Sequence, residues 1–290
     1  MFSISRILVP VDFSNRCLGM MPYVKAVAQR YNSEVILLHV VNPIYAIPDP
    51  GGSAPALFPV PQRIFKERAE QLEKFAVAEL QGIPLRRLAY EGNPESQIAS
   101  VVEAESIGLV AMPTHGYGIL RRWLIGSVTS KVLHDVSCPV LTGVHTDAQP
   151  PLTRLKFSSI VCAIDFNQHS ATTVAWAAKF ANDFGAKLSF VHVIPGVSSG
   201  FHLTYTSDVK QEMEGLARKA MEELQKNAGI ESAANSVQEG DVSSGVCSFA
   251  ESTGADLVII GRGLPDGTAG RLRTNAYAII RQSPCPVISV

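Results

Sequence analysis

The sequence predicts an α/β protein made of two tandem open parallel sheets, five strands each, flanked by helices. Three observations lead there. First, the 290-residue chain repeats itself. Ile7-Leu8-Val9-Pro10-Val11-Asp12 returns as Ile160-Val161-Cys162-Ala163-Ile164-Asp165, Leu37-Leu38-His39-Val40 as Phe190-Val191-His192-Val193, and Ser137-Cys138-Pro139-Val140 as Pro284-Cys285-Pro286-Val287. A unit of more than about a hundred residues is too long for a solenoid repeat and reads as a whole domain copied, expected over residues 1–146 and 154–290. Second, each copy holds short runs of β-branched residues, the pattern of strands buried on both faces. Third, these runs alternate with segments of helical periodicity, which gives a parallel sheet with right-handed crossovers.

Taken in order, 7–11 is the first strand, and a turn at 12–15 leads into a helix near 18–31. The second strand is 34–41. Residues 42–61 are rich in proline and contain Gly51-Gly52, so no regular structure is expected there, and a long loop in a compact domain is commonly functional. Residues 64–80 carry apolar side chains at helical spacing with a charged, solvated face. A third strand (85–90), a helix (95–105), a fourth strand (108–112), a helix (127–135) and a fifth strand (140–144) complete the copy. The second copy follows the same order from 159 to 290. Between them, 146–153 with Pro150-Pro151 is short and stiff, which keeps the halves close.

The composition is that of a globular protein. The chain is 46% hydrophobic and 18% charged, with a formal net charge of -1. That balance leaves no electrostatic footprint for nucleic acid or for an anionic membrane surface. No apolar run approaches the roughly 20 residues of a membrane span. A strand begins almost at once, leaving no room for a signal peptide, and the odd number of cysteines, 5, suits a reducing compartment. A cytoplasmic protein is expected. Cys138 and Cys285, each ahead of a Pro-Val pair, read as small buried hydrophobes.

In an open parallel sheet, ligands bind beyond the carboxyl ends of the strands. Asp12 closes the first strand, Val40 lies at the end of the second, and Met112 ends the fourth. Past it come Gly116 and then Gly126-Ser127-Val128-Thr129, which opens a helix. This set suits a nucleotide. Glycines let main-chain N–H groups approach phosphate, and a helix N-terminus presents unpaired donors to negative charge. The Ser127 and Thr129 hydroxyls add donors, the Asp12 carboxylate can accept from ribose hydroxyls, and Val40 offers main-chain groups to an adenine edge. Each piece alone has a plainer reading, as a turn former or an ordinary helix start. Their co-occurrence carries the weight. His115 and Arg121-Arg122 tempt a catalytic reading, but no Ser, Cys or Asp partner is placed to activate the histidine.

These residues resemble a tandem universal stress protein over nearly the whole chain, through Ile7 to Asp12, Leu37 to Val40, Gly92-Asn93-Pro94, Thr114-His115-Gly116, Gly126 to Thr129 and Ser137 to Val140. The resemblance implies a Rossmann-like, adenine-nucleotide alpha-hydrolase-like fold and pairing of the two domains through their final strands. It also implies a cytoplasmic stress-response sensor or regulator that binds ATP, with Mg as the nucleotide's companion. Asp12, Val40, Gly116, Gly126, Ser127 and Thr129 match the ATP-binding members. At most a slow ATPase is expected, together with an unidentified protein partner and a homodimer as a further level of assembly. The alternative is an interaction module that holds no nucleotide.

The chain departs from the loop pattern Gly-x2-Gly-x9-Gly-Ser/Thr at its first glycine, which is Pro113. Proline has no N–H, and one lost neutral hydrogen bond costs about 0.5–1.5 kcal/mol, weakening a site without abolishing it. The second copy keeps Asp165, Val193, Gly261 and Gly263. Its loop is one residue shorter, and Arg273 stands in the place of Gly126. It is expected to serve structure.

Overall fold

The computed structural model describes residues 4–45, 57–115, 125–144, 157–195, 207–262 and 274–290. The strands of the first copy are β1 (Arg6–Pro10), β2 (Glu34–Val41), the short β3 (Ile44–Tyr45) and β4 (Leu57–Phe58), β5 (Leu85–Glu91), β6 (Leu109–Met112) and β7 (Val140–Thr142). Its helices are α1 (Asn15–Gly19), α2 (Met21–Tyr31), α3 (Gln62–Lys74), α4 (Pro94–Ala104) and α5 (Ser127–Asp135). The second copy supplies β8 (Ser159–Ala163), β9 (Lys187–Pro195), β10 (Ala234–Gly240), β11 (Leu257–Ile260) and β12 (Val287–Ser289), with helices α6 (Ser170–Phe184), α7 (Ser207–Asn227), α8 (Val242–Ser252) and α9 (Thr274–Gln282).

The two sets of five strands join into one 10-stranded sheet, ordered β10-β9-β8-β11-β12-β7-β6-β1-β2-β5. All pairs in it are parallel except the central one, where β12 meets β7 antiparallel with Ile288 opposite Leu141. The final strand of each copy therefore satisfies the other's edge. The outer edges, β5 and β10, carry polar and charged side chains such as Arg86, Arg87, Asn235 and Gln238, which discourage further strand addition.

Buried apolar side chains from both copies form a continuous layer on each face of this sheet. On one face Tyr31, Phe157, Phe180 and Phe184 pack ring against ring across the pseudo-twofold, and the Tyr31 hydroxyl donates to Asp183 Oδ2 at 2.9 Å. On the other face the Tyr277 hydroxyl and Ser130 Oγ are 2.9 Å apart, which links α9 to α5. Each fully buried aromatic or aliphatic side chain contributes about 1.5–3 kcal/mol, so halves sharing two such layers resist separation.

Three elements differ from the sequence reading. The helix expected near 18–31 is two helices, α1 and α2, that meet at Met20, with Pro22 in the first turn of α2. The helix expected over 64–80 ends at Lys74. Ala76 takes φ 55, turning the chain so that Phe75 meets the Phe13 ring edge-on at 5.7 Å. Within 42–61, expected to be irregular, β3 and β4 form a short antiparallel pair. The 146–153 link and the boundaries drawn at 146 and 154 lie outside the described residues.

Candidate functional site

The first copy's strand order, β5-β2-β1-β6-β7, reverses between β1 and β6, and a crevice opens there at the carboxyl ends. Val11 N–H donates to Leu38 O at 2.8 Å, just past the last β1–β2 register pair, Pro10 with Leu38. Main-chain groups two residues apart in a strand face the same side, so the N–H and C=O of Val40 turn toward β1 beyond its end. They are a donor and an acceptor edging the crevice.

Phe13 then takes φ 63, a costly conformation for a bulky residue. That turn leaves Asp12 at the rim. Its Oδ1 accepts from Ser14 N–H at 2.9 Å, and Ser14 Oγ accepts from Cys17 N–H at 3.1 Å to open α1. His39 secures the turn. Its Nδ1 lies 2.7 Å from Val11 O, and its ring centroid is 4.4 Å from that of Phe13. A carbonyl only accepts, so Nδ1 carries the proton. Burial holds the imidazole below its ordinary pKa and keeps it neutral.

The far wall is the end of β6 and the start of α5. Gly126 N–H donates to Thr114 O at 2.8 Å, and Thr129 Oγ1 donates to Pro113 O at 3.0 Å. These two polar groups, expected to face phosphate, close the base of the loop. A Cβ on Gly126 would lie 3.4 Å from His115 Cα, about ordinary contact, and its φ of -59 is ordinary, so neither space nor backbone demands glycine here. Ser127 and Val128 occupy the first turn of α5, where amides have no intrahelical partner and Gly126 has no side chain to cap them. Ser127 is exposed, and Met112, Val128 and Thr129 line the crevice. His115 is buried, with Nδ1 3.0 Å from Thr114 Oγ1. Gly116, Arg121 and Arg122 lie outside the described residues.

The crevice encloses about 170 Å³ between Asp12, Val40, Ile98, Met112, Pro113 and Thr129. An apolar cavity of about 150 Å³ holds a benzene ring, so this crevice has room for a planar ring of about that size. Among the described residues no cluster of His, Cys, Asp and Glu could hold a metal ion. All five cysteines are free and buried, and burial pushes the Cys17 and Cys285 thiols up to about 12.

The second copy repeats the first wall closely. His192 Nδ1 is 2.8 Å from Ile164 O, Phe166 takes φ 54, and its ring is 4.4 Å from His192. Asp165 has more local partners than Asp12. Asn167 N–H reaches Oδ1 at 3.3 Å, Asn167 Nδ2 reaches Oδ2 at 2.8 Å, and Ser170 Oγ reaches Oδ1 at 3.3 Å. The second wall differs. Where the first copy has Thr114, the second has Arg262, which is buried and sends its guanidinium into the first copy. Nη1 donates to Leu133 O at 3.1 Å and Val136 O at 3.3 Å, and Nη2 donates to Cys138 O. It caps the carbonyl end of α5, where a cation is favoured. Gly263, Arg271 and Arg273 lie outside the described residues.

Sequence reasoning passed over two of these groups. The histidines were visible as the repeated His39 and His192, each matched by a phenylalanine after the strand-end aspartate. Arg262 was flagged only by the residue lost beside it.

This is an α/β protein of Rossmann-like fold with its crevice at the reversal of strand order. The pattern of the universal stress protein family matches residues 3–142 and again 156–290. The chain belongs to the universal stress protein family, with two copies of the domain in tandem. A universal stress protein of Methanocaldococcus jannaschii is 28% identical over 140 residues, covering 47% of this chain and 79% of that protein. One from Thermus aquaticus is 30% identical over 136 residues, covering 47% of this chain and 95% of its own length. The crystal structure of a universal stress protein from Archaeoglobus fulgidus covers 99% of this chain and 96% of its own, with a TM-score of 0.67 at 21% identity, which supports the fold.

Proposed function

We propose that the first copy binds ATP and that the protein acts as a cytoplasmic stress-response sensor or regulator. The observation carrying this reading is the convergence of three groups on one crevice: the main-chain edge of Val40, the Asp12 carboxylate and the uncapped amides of Ser127 and Val128. Adenine would lie between Ile98 and Met112 and pair with Val40. Ribose hydroxyls would donate to Asp12, and phosphate would meet the start of α5. Mg would arrive with the phosphates and keep most of its waters, as magnesium does where the protein offers no carboxylate cage. Hydrolysis is expected to be slow, because among the described residues no cluster of His, Cys, Asp and Glu could hold a catalytic metal ion.

The second copy serves structure through Arg262 and the central strand pair. Residues 1–146 and 154–290 are proposed as the two domains, joined within one chain. A protein partner and a homodimer are proposed as further levels of assembly.

Denaturing the purified protein and resolving the supernatant by ion exchange tests the reading. Released ATP supports it. A second reading, an interaction module without nucleotide, is favoured by one specific observation: Gly126 N–H and Thr129 Oγ1 already have internal partners. No released nucleotide, with no uptake of added ATP, would favour that module.

A further inference from the structure

Among the described residues, polar contacts hold α5 at its start, its middle and its exit, and the last two come from the other copy. At the start Gly126 N–H donates to Thr114 O and Thr129 Oγ1 to Pro113 O, both within the first copy. At the middle the Tyr277 hydroxyl, on α9, lies 2.9 Å from Ser130 Oγ and 3.2 Å from Ser130 O. At the exit Val136 N–H takes Val132 O, and the Arg262 guanidinium supplies donors to Leu133 O, Val136 O and Cys138 O. The helix has nine residues, so at 1.5 Å per residue it is about 13 Å long. Arg262 therefore grips the end opposite the amides of Ser127 and Val128.

That arrangement makes α5 a short rod hinged at its start and aimed from its far end. Hydrogen bonds depend on angle as well as distance, so a rod released at its exit re-aims its first amides even where they hardly translate. Val132 and Leu133 are buried against the sheet, and close-packed side chains pass a tilt on rather than absorb it. The two copies close this exit differently. At the repeat position of Val136 the second copy has Ser283, whose hydroxyl donates to Cys285 O at 2.7 Å, a closure within its own copy. At the repeat position of Arg262 the first copy has Thr114, whose Oγ1 lies 3.0 Å from His115 Nδ1, its own neighbour.

We infer that Arg262 is a positioning residue for the first-copy site: through it the second copy sets the direction of α5 and with it the strength of anion binding at Ser127 and Val128. The inference deepens the reading given above and rests on phosphate meeting the start of α5. By reciprocity, ATP bound in the first copy holds Arg262 more firmly on its three carbonyls.

Amide NMR of the full-length, ligand-free protein and ATP calorimetry, on variants whose fold is verified by circular dichroism, test this. Arg262→Ala is expected to displace the Ser127 and Val128 amide signals and to weaken ATP at least about fivefold, the low end of coupling between sites. Arg262→Lys keeps the charge and the stem but loses the planar fork, and falls between that variant and the wild type. If Arg262→Ala does not fold, the lysine variant carries the same comparison. Arg87→Ala is the control, because Arg87 caps the exit of α3 through Leu72 O and Phe75 O in the same manner at the sheet's outer edge. It should cost stability and leave the Ser127 and Val128 amides in place. A merely structural Arg262 would lower the urea midpoint while the folded variants kept wild-type ATP affinity and wild-type signals at those two amides; that result would overturn the inference. A wild-type protein that takes up no ATP would remove the ATP reading alone. The ligand-free amides still decide then: displaced signals support the positioning role, and unmoved ones overturn it.

Discussion

The two crevices share one wall and differ in the other. On the shared wall the strand-end aspartate, the left-handed phenylalanine and the histidine bonded to a carbonyl recur with distances within 0.1 Å, 2.7 Å in the first copy and 2.8 Å in the second. On the other wall the first copy has Thr114, Gly126 and Thr129 closing a loop base, while the second has Arg262 reaching across the domain boundary. The shared wall belongs to the sheet and is fixed by strand pairing. The divergent wall belongs to a loop, free to exchange ligand contacts for contacts between the copies.

The largest effect expected on breaking this comparison comes from Arg262→Ala. It strips donors from three buried carbonyls at the end of α5, and hydrogen bonds to a charged group are worth about 1.5–3 kcal/mol each before compensation. A loss of about 3 kcal/mol in urea unfolding is expected, with Arg262→Lys recovering part of it. A loss below about 0.5 kcal/mol would mean that the arginine is no structural tie.

Next comes Gly126→Arg, which copies the second domain's residue into the first. The backbone at Gly126 (φ -59, ψ 148) accepts any residue and the new Cβ would touch His115 Cα at 3.4 Å, so the fold should persist. ATP affinity is expected to fall at least tenfold, about 1.4 kcal/mol. Unchanged ATP retention by calorimetry would place the phosphate site elsewhere.

A smaller effect follows from Tyr277→Phe, which removes the hydroxyl bonded to Ser130 on the facing copy. About 1 kcal/mol of stability should be lost, and the same change combined with Arg262→Ala should be non-additive, since both act on α5.

The smallest is a pH effect. Burial depresses the folded-state pKa of His39. The unfolded chain then binds the proton more readily, so stability is complete above about 6.5 and declines as pH falls from there through the folded value. His39→Gln should flatten that slope in melts between pH 7 and 5. An unaltered slope would assign it to other groups.

Much of this was legible in the sequence. β2 and α5 have the bounds that the apolar run and the Gly126-Ser127 start indicated, because strand alternation and helix entry are local properties. The repeat disclosed two domains. What escaped depends on contacts distant in sequence. The break at Met20 comes where that side chain packs close to Gly143, and α3 stops early because Phe75 turns toward Phe13. Arg262 acts on carbonyls more than a hundred residues away, which no local pattern encodes. The roles of Gly126 and Thr129 were only half legible. Their proximity to the crevice follows from the motif, but their internal partners, Thr114 O and Pro113 O, depend on how the loop folds back.

The central claim is that the first crevice takes ATP through main-chain groups at Val40 and the start of α5. Residue-resolved hydrogen exchange with and without ATP addresses those amides directly. The account predicts slowed exchange at Val40, Ser127 and Val128, with residues 192–195 and 274–277 unchanged. ATP that binds while those three amides keep their exchange rates, or that protects only the second-copy segments, would contradict it.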